Sequence, residues 1–113
     1  MPAAPTISPD IDTGTDIGGH EEHAQLFNVV LLDDDDHTYD YVIEMLSTLF
    51  HLTVDQAYQH AVEVDQAKRT IVMTCELGPA EFARDQIHGY GADWRMPKSK
   101  GSMSAILEPA AKQ

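Results

Sequence analysis

The chain has 113 residues and a single cysteine, Cys75, so no intrachain disulfide can form. That fits a reducing compartment. It has no apolar run near the roughly 18 residues that would span a bilayer. Its first residues lack the basic region and apolar core of a secretory leader. These absences predict a soluble, cytoplasmic protein. No GxSxG, no phosphate-binding glycine loop and no HExxH occurs, and no motif surrounds Cys75, so the sequence does not read as an enzyme. Lys and Arg are missing altogether from residues 1–67, which hold 14 Asp and Glu. All seven basic residues fall in 68–113, beside five acids. Such a field repels phosphate backbones, which argues against nucleic acid as a partner, and it favours a cationic ligand.

What is present falls into two parts. Residues 1–25 mix Pro2, Pro5, Pro9 and three glycines with small and acidic residues, and show no helix or strand period. They predict a disordered extension, with one domain over 26–113. The segment His20–His23, HEEH, offers metal donors but reads as polar filler in a flexible tail. LFNVVLL at 26–32 predicts a buried strand. Val42, Ile43, Leu46, Leu49 and Phe50 recur at helical spacing, so a helix is expected over about 38–51. Asp36, His37 or Thr38 can cap it, and Asp40 sits in its first turn.

Thr53 opens a second helix, with Val54, Ala57, Ala61 and Val64 inward and an end near Asp65. After the link QAKR, TIVMTCEL predicts a second strand. Gly78-Pro79 interrupts, and a third helix is expected over 79–91 with Phe82, Ile87 and Tyr90 inward. GADWRMPKSKG reads as a loop and SMSAILEP as a third strand. The order β-α-α-β-α-β predicts an α+β fold: a three-stranded antiparallel sheet packed against three helices.

The run DDDD at 33–36 lies between the first strand and the first helix. A calcium loop would need acids at alternate positions, a central glycine and a distal bidentate Glu, whereas here the acids are consecutive and the glycine is absent. An ammonium group fits better, held by two or three charge-assisted hydrogen bonds from carboxylate lone pairs left over after capping. Val42, Tyr39, Ala61 and Val64 would supply an apolar surface beside it. A cation next to an apolar pocket describes the first residue of a polypeptide. A solvated helix start above an ordinary core remains the other reading of the same residues.

LFNVVLLDDDDHTYDYVIEML, followed by AYQHAVEVD, resembles the ClpS family, adaptors that deliver N-end-rule substrates to the Clp protease. The resemblance covers about residues 26–91 and returns in MSAILEPA. It implies a non-enzymatic adaptor, without cofactor or metal, that binds N-terminal peptides of substrate proteins and a Clp-type AAA+ unfoldase. Carried over by position, Asp34 and Asp35 match the family's two acids, and Asp33 stands where the family has Asn. Asp65 stands where the family has a His that also binds the α-amine. The implied hydrophobic pocket comprises Tyr39 and Ala61 at two Met positions, Val42, Val64, and Met103 at a Leu position. His37, at the site edge, replaces a Thr. Around the third helix the family docks through an acidic residue and a Lys, where this chain has Gly78 and Ala83. A divergent relative with another ligand, a metal ion or a protein partner, and without Clp docking, is the alternative.

Overall fold

A computed structural model describes residues 25–111. The expected disordered extension, with its HEEH segment, lies outside the described residues but for Gln25. Three strands and three helices alternate as the sequence pattern predicts: β1 (Leu26–Leu32), α1 (Tyr39–Phe50), α2 (Val54–Ala67), β2 (Arg69–Glu76), α3 (Leu77–His88) and β3 (Ala105–Pro109). The sheet is antiparallel with order β2-β1-β3, so the apolar run LFNVVLL is the central strand.

That position explains the composition of β1. Successive side chains point to opposite faces, and a central strand must bury both. Val29 and Leu31 enter the core under the helices. Val30 points to the other face, where Ile71 and Ile106 flank it from the two neighbouring strands, and it too is fully buried. The register with β2 shifts between Val29 and Val30.

The helices form one layer over the sheet. α2 lies on β2, α3 lies on all three strands, and α1 packs against both helices. The inward stripes are Tyr41, Val42, Met45 and Leu46 on α1, and Ala57, Ala61 and Val64 on α2, while Val54, expected inward, is exposed in the first turn of α2. The alanines let α2 approach closely. Local chemistry sets the helix ends. Thr38 caps α1 by accepting from the Tyr41 amide, and Thr53 forms a reciprocal capping box with Gln56. Each of the first two helices ends on a residue in the left-handed region, His51 after α1 and Lys68 after α2.

Three boundaries differ from expectation. The link QAKR is shorter than expected: Gln66 and Ala67 complete α2, Arg69 opens β2, and Lys68 alone joins them. The third strand is confined to Ala105–Pro109. α3 starts at Leu77 and ends at His88, because Pro79 falls in its first turn, where a missing N–H costs no helical bond. With that start, Ala80, Ala83 and Ile87 face the core, and Phe82 is 66% exposed instead of inward. Tyr90 lies past the helix and packs edge-on to Tyr41 at 5.6 Å.

Candidate substrate-binding cleft

The four aspartates begin where β1 runs out of partners. The Leu32 amide still donates to Ser104 O at 2.9 Å, and the Asp33 amide to Lys68 O at 3.1 Å. Beyond that point the turn folds on its own side chains. Asp34 Oδ1 accepts from the Asp36 amide at 2.9 Å and meets His37 Nδ1 at 2.7 Å. The His37 ring is nearly enclosed, its side chain 3% exposed, and it lies 4.4 Å from the Tyr41 ring. Its Nε2 faces Gly101 O at 2.7 Å. Both ring nitrogens thus face oxygen acceptors, and His37 ties the acidic turn to the segment before β3.

A second tie comes from Asp93, 1% exposed. Its Oδ2 accepts from the Thr38 amide at 2.7 Å and the Thr38 hydroxyl at 2.8 Å. Its Oδ1 accepts from the Arg95 amide and guanidinium. Arg95 then reaches Glu44 on α1 at 2.8 Å. Burial alone would push the Asp93 carboxyl up, but the hydrogen bonds from Thr38 and Arg95 outweigh it and hold it below the usual carboxylate range. The start of α1 is therefore clamped by a buried charge from the 89–104 loop.

Between the acidic turn, α1 and the end of α2 opens a cleft of about 250 Å³. Its floor is Val42, Ala61, Val64 and Met103, all buried. Asp33, Asp34, Asp35, His37, Thr38, Tyr39, Asp65 and Lys68 complete its lining. Every residue singled out from the sequence for the amine, the pocket and its edge thus lines this one cleft. Asp36 does not; its carboxylate turns outward toward Lys98 at 3.7 Å.

Two side-chain bridges join lining residues of the cleft. The Tyr39 hydroxyl donates to Asp65 Oδ2 at 2.6 Å, with the Tyr39 ring edge-on to Tyr58. That carboxylate stabilises the neutral phenol and pushes Tyr39 up to about 12. Lys68 Nζ lies 3.5 Å from Asp33 Oδ2. Lys68, Thr38 and Asp93 were not among the expected site residues. Lys68 sat in a link, and Asp93 in a loop with no periodicity. Only the charge pattern, with Lys68 as the first basic residue of the chain, offered a signal.

Among the described residues, no group of three or more His, Cys, Asp or Glu side chains converges to hold a metal ion, and no helix is long and apolar enough to cross a membrane. Of the two positions expected at a docking face, Gly78 is exposed in the first turn of α3. Ala83 is buried in the core, so its side chain is not available to a partner.

The family model described as ATP-dependent Clp protease adaptor protein ClpS matches residues 22–97. Curated proteins named ATP-dependent Clp protease adapter protein ClpS are similar to this chain. The one from a Synechococcus species is 32% identical over 71 residues, covering 62% of this chain and 78% of that protein. The one from Acetivibrio thermocellus is 27% identical over 85 residues, covering 75% and 81%. A shorter match, to the protein from Nautilia profundicola, is 43% identical over 42 residues and spans 37% of this chain and 43% of that protein. Among solved structures, Agrobacterium tumefaciens ClpS2 bound to L-phenylalaninamide superposes with a TM-score of 0.67 at 20% identity. That alignment covers 78% of this chain and all of the other, and it attests the shared fold.

Proposed function

The chain belongs to the ClpS family of adaptors of the ATP-dependent Clp protease, and from that premise we propose that its cleft captures the first residue of substrate polypeptides for delivery to a Clp-type AAA+ unfoldase in the cytoplasm. Asp33, Asp34, Asp35 and Asp65 receive the α-ammonium, and Tyr39, Val42, Ala61, Val64 and Met103 enclose a bulky hydrophobic side chain. One observation carries this reading: carboxylates and a buried apolar floor share a single cleft. A chain's N-terminal residue offers the matching pair, an ammonium and a side chain on one carbon. L-phenylalaninamide, the ligand bound to the Agrobacterium relative, has the same two groups.

The chemistry is selection without bond making. Carboxylates that together accept two or three ammonium N–H bonds stabilise the complex by about 1.5–3 kcal/mol per bond. Acetylation removes the charge and most of the donors, and so distinguishes a chain terminus from an internal residue. Burial of an aromatic or leucine side chain adds about 1.5–3 kcal/mol. His37, which lines the cleft, and Asp93, which does not, hold the turn and the start of α1 in place. On the docking side, an exposed Gly78 and a buried Ala83 leave contacts to the unfoldase that differ from the family's acid and Lys.

Fluorescence anisotropy tests the reading with a peptide series that varies only in its first residue, each member paired with its N-acetylated form. Free-amine peptides beginning with Phe, Leu, Tyr or Trp are expected to bind, and their acetylated partners to lose at least tenfold. Equal affinity for both forms would show that the cleft does not read an amine. One calcium or magnesium ion bound tightly per chain would favour the alternative ligand.

A further inference from the structure

We propose that Lys68 is a built-in competitor for the ligand's ammonium and thereby sets how tightly the cleft takes an N-terminal amine. The inference rests on the amine reading given above. Lys68 lines the cleft, and its Nζ stands 3.5 Å from Asp33 Oδ2. It thus presents to a proposed amine-binding carboxylate the same group that a ligand would bring.

The backbone makes this encounter hard to avoid. The Asp33 amide donates to Lys68 O, so the two residues are held facing one another at the end of the sheet. Lys68 is also the single residue between α2 and β2. It turns the chain with φ at 72°, a conformation that favours glycine and is strained for a side chain. Glycine would make the turn at less cost. What the lysine adds is a charge in the cleft lining.

The competitor is weak by construction. Lys68 is 73% exposed while Asp33 is 18% exposed, so the ammonium reaches in from solvent on a flexible stem. An exposed pair of this kind gives way to a better-placed ligand. A ligand ammonium on Asp33 must displace Lys68, and one on Asp34 or Asp35 still feels a like charge nearby. Both routes lower affinity. Loss of the Lys68 charge, by substitution or by acylation of its amine, removes the competition and leaves the carboxylates free.

The test uses the full chain and a labelled peptide beginning with Phe, free or N-acetylated, read by anisotropy. Lys68→Met keeps most of the stem and removes the charge, and Lys68→Arg keeps the charge. Lys68→Met is expected to bind the free-amine peptide about threefold to tenfold more tightly than wild type. Lys68→Arg should stay near wild type, and the acetylated peptide should remain weak with all three proteins. If wild type prefers the free amine but Lys68→Met binds it equally or more weakly, the amine reading stands and the competitor falls. If no protein distinguishes the free from the acetylated peptide, both fall. Lys68→Gln, which mimics the acylated side chain, gives an independent reading should Lys68→Met melt early.

Discussion

Asp93 ties its charge to the position of the α1 start, through the Thr38 amide and hydroxyl on one oxygen and Arg95 on the other. Asp93→Asn turns an acceptor into a donor facing Arg95 and leaves buried partners unmatched. The expected loss is about 2–3 kcal/mol of stability at pH 7, read by urea denaturation. The pH dependence follows from the lowered carboxyl. The charged form is favoured by folding, so the stabilisation is present above the ordinary carboxylate value near ~4 and lost as pH falls through the lower folded value. Wild type should lose stability in that acid window, and Asp93→Asn should show a flatter curve there.

Tyr39 gives a second residue-scale readout. Its phenol is held neutral by Asp65 to about 12, so the phenolate absorbance should show Tyr39 ionising later than an ordinary phenol, beside Tyr41, which burial also pushes up. Here the folded value is raised, and the contribution to stability is present below ~10 and lost as pH rises through the folded value. Asp65→Asn should bring Tyr39 down and leave Tyr41 late. Unchanged titration would mean that the bridge does not form in solution. For the ligand itself, Asp35→Ala is expected to weaken free-amine peptides at least tenfold with the melt unchanged, because Asp35 is exposed and holds no part of the core.

At the scale of elements, the helices differ in how plainly their sequences announce them. α1 was legible because Val42, Ile43, Leu46, Leu49 and Phe50 keep one face and Thr38 offers a cap. α3 was legible only in its second half. Gly78-Pro79 reads as a break, yet a proline in a first turn continues into a helix, and the earlier start turns Phe82 outward. Ile87→Ala should therefore cost about 2–4 kcal/mol, while Phe82→Ser should stay within about 0.5 kcal/mol, both by urea denaturation. Comparable losses at the two positions would contradict this helix orientation. The cleft was legible for a related reason. Strand, acidic turn and helix lie in one register, so Asp33, Asp34, Asp35, Tyr39 and Val42 are placed together by local chain geometry. Asp93 was not, because it meets Thr38 from 55 residues away through a loop whose sequence has no period. Lys68 was not, because nothing in QAKR distinguishes the one residue that turns the chain.

At the scale of the molecule, the charge is strongly divided. The formal net charge is −12, and residues 1–67 carry no Lys or Arg. The cleft takes its carboxylates from that acidic part, while its one lysine comes from the first position of the basic part. An acidic chain with an acidic cleft attracts an ammonium from a distance of about a Debye length, roughly 10 Å at 0.1 M salt. Raising the salt from about 0.05 M to about 0.5 M should weaken free-amine peptides several-fold, chiefly through slower association. The acetylated peptides should respond less.

The cleft's reading depends most on where an amine-bearing ligand goes, and a two-dimensional NMR titration with L-phenylalaninamide and its N-acetyl derivative locates it. Shifts should concentrate on Asp33 to Asp35, Val42, Ala61, Val64 and Met103, and the acetylated compound should leave them nearly still. Equal shifts from both compounds, or shifts centred elsewhere on the domain, would contradict an amine-binding cleft at this site.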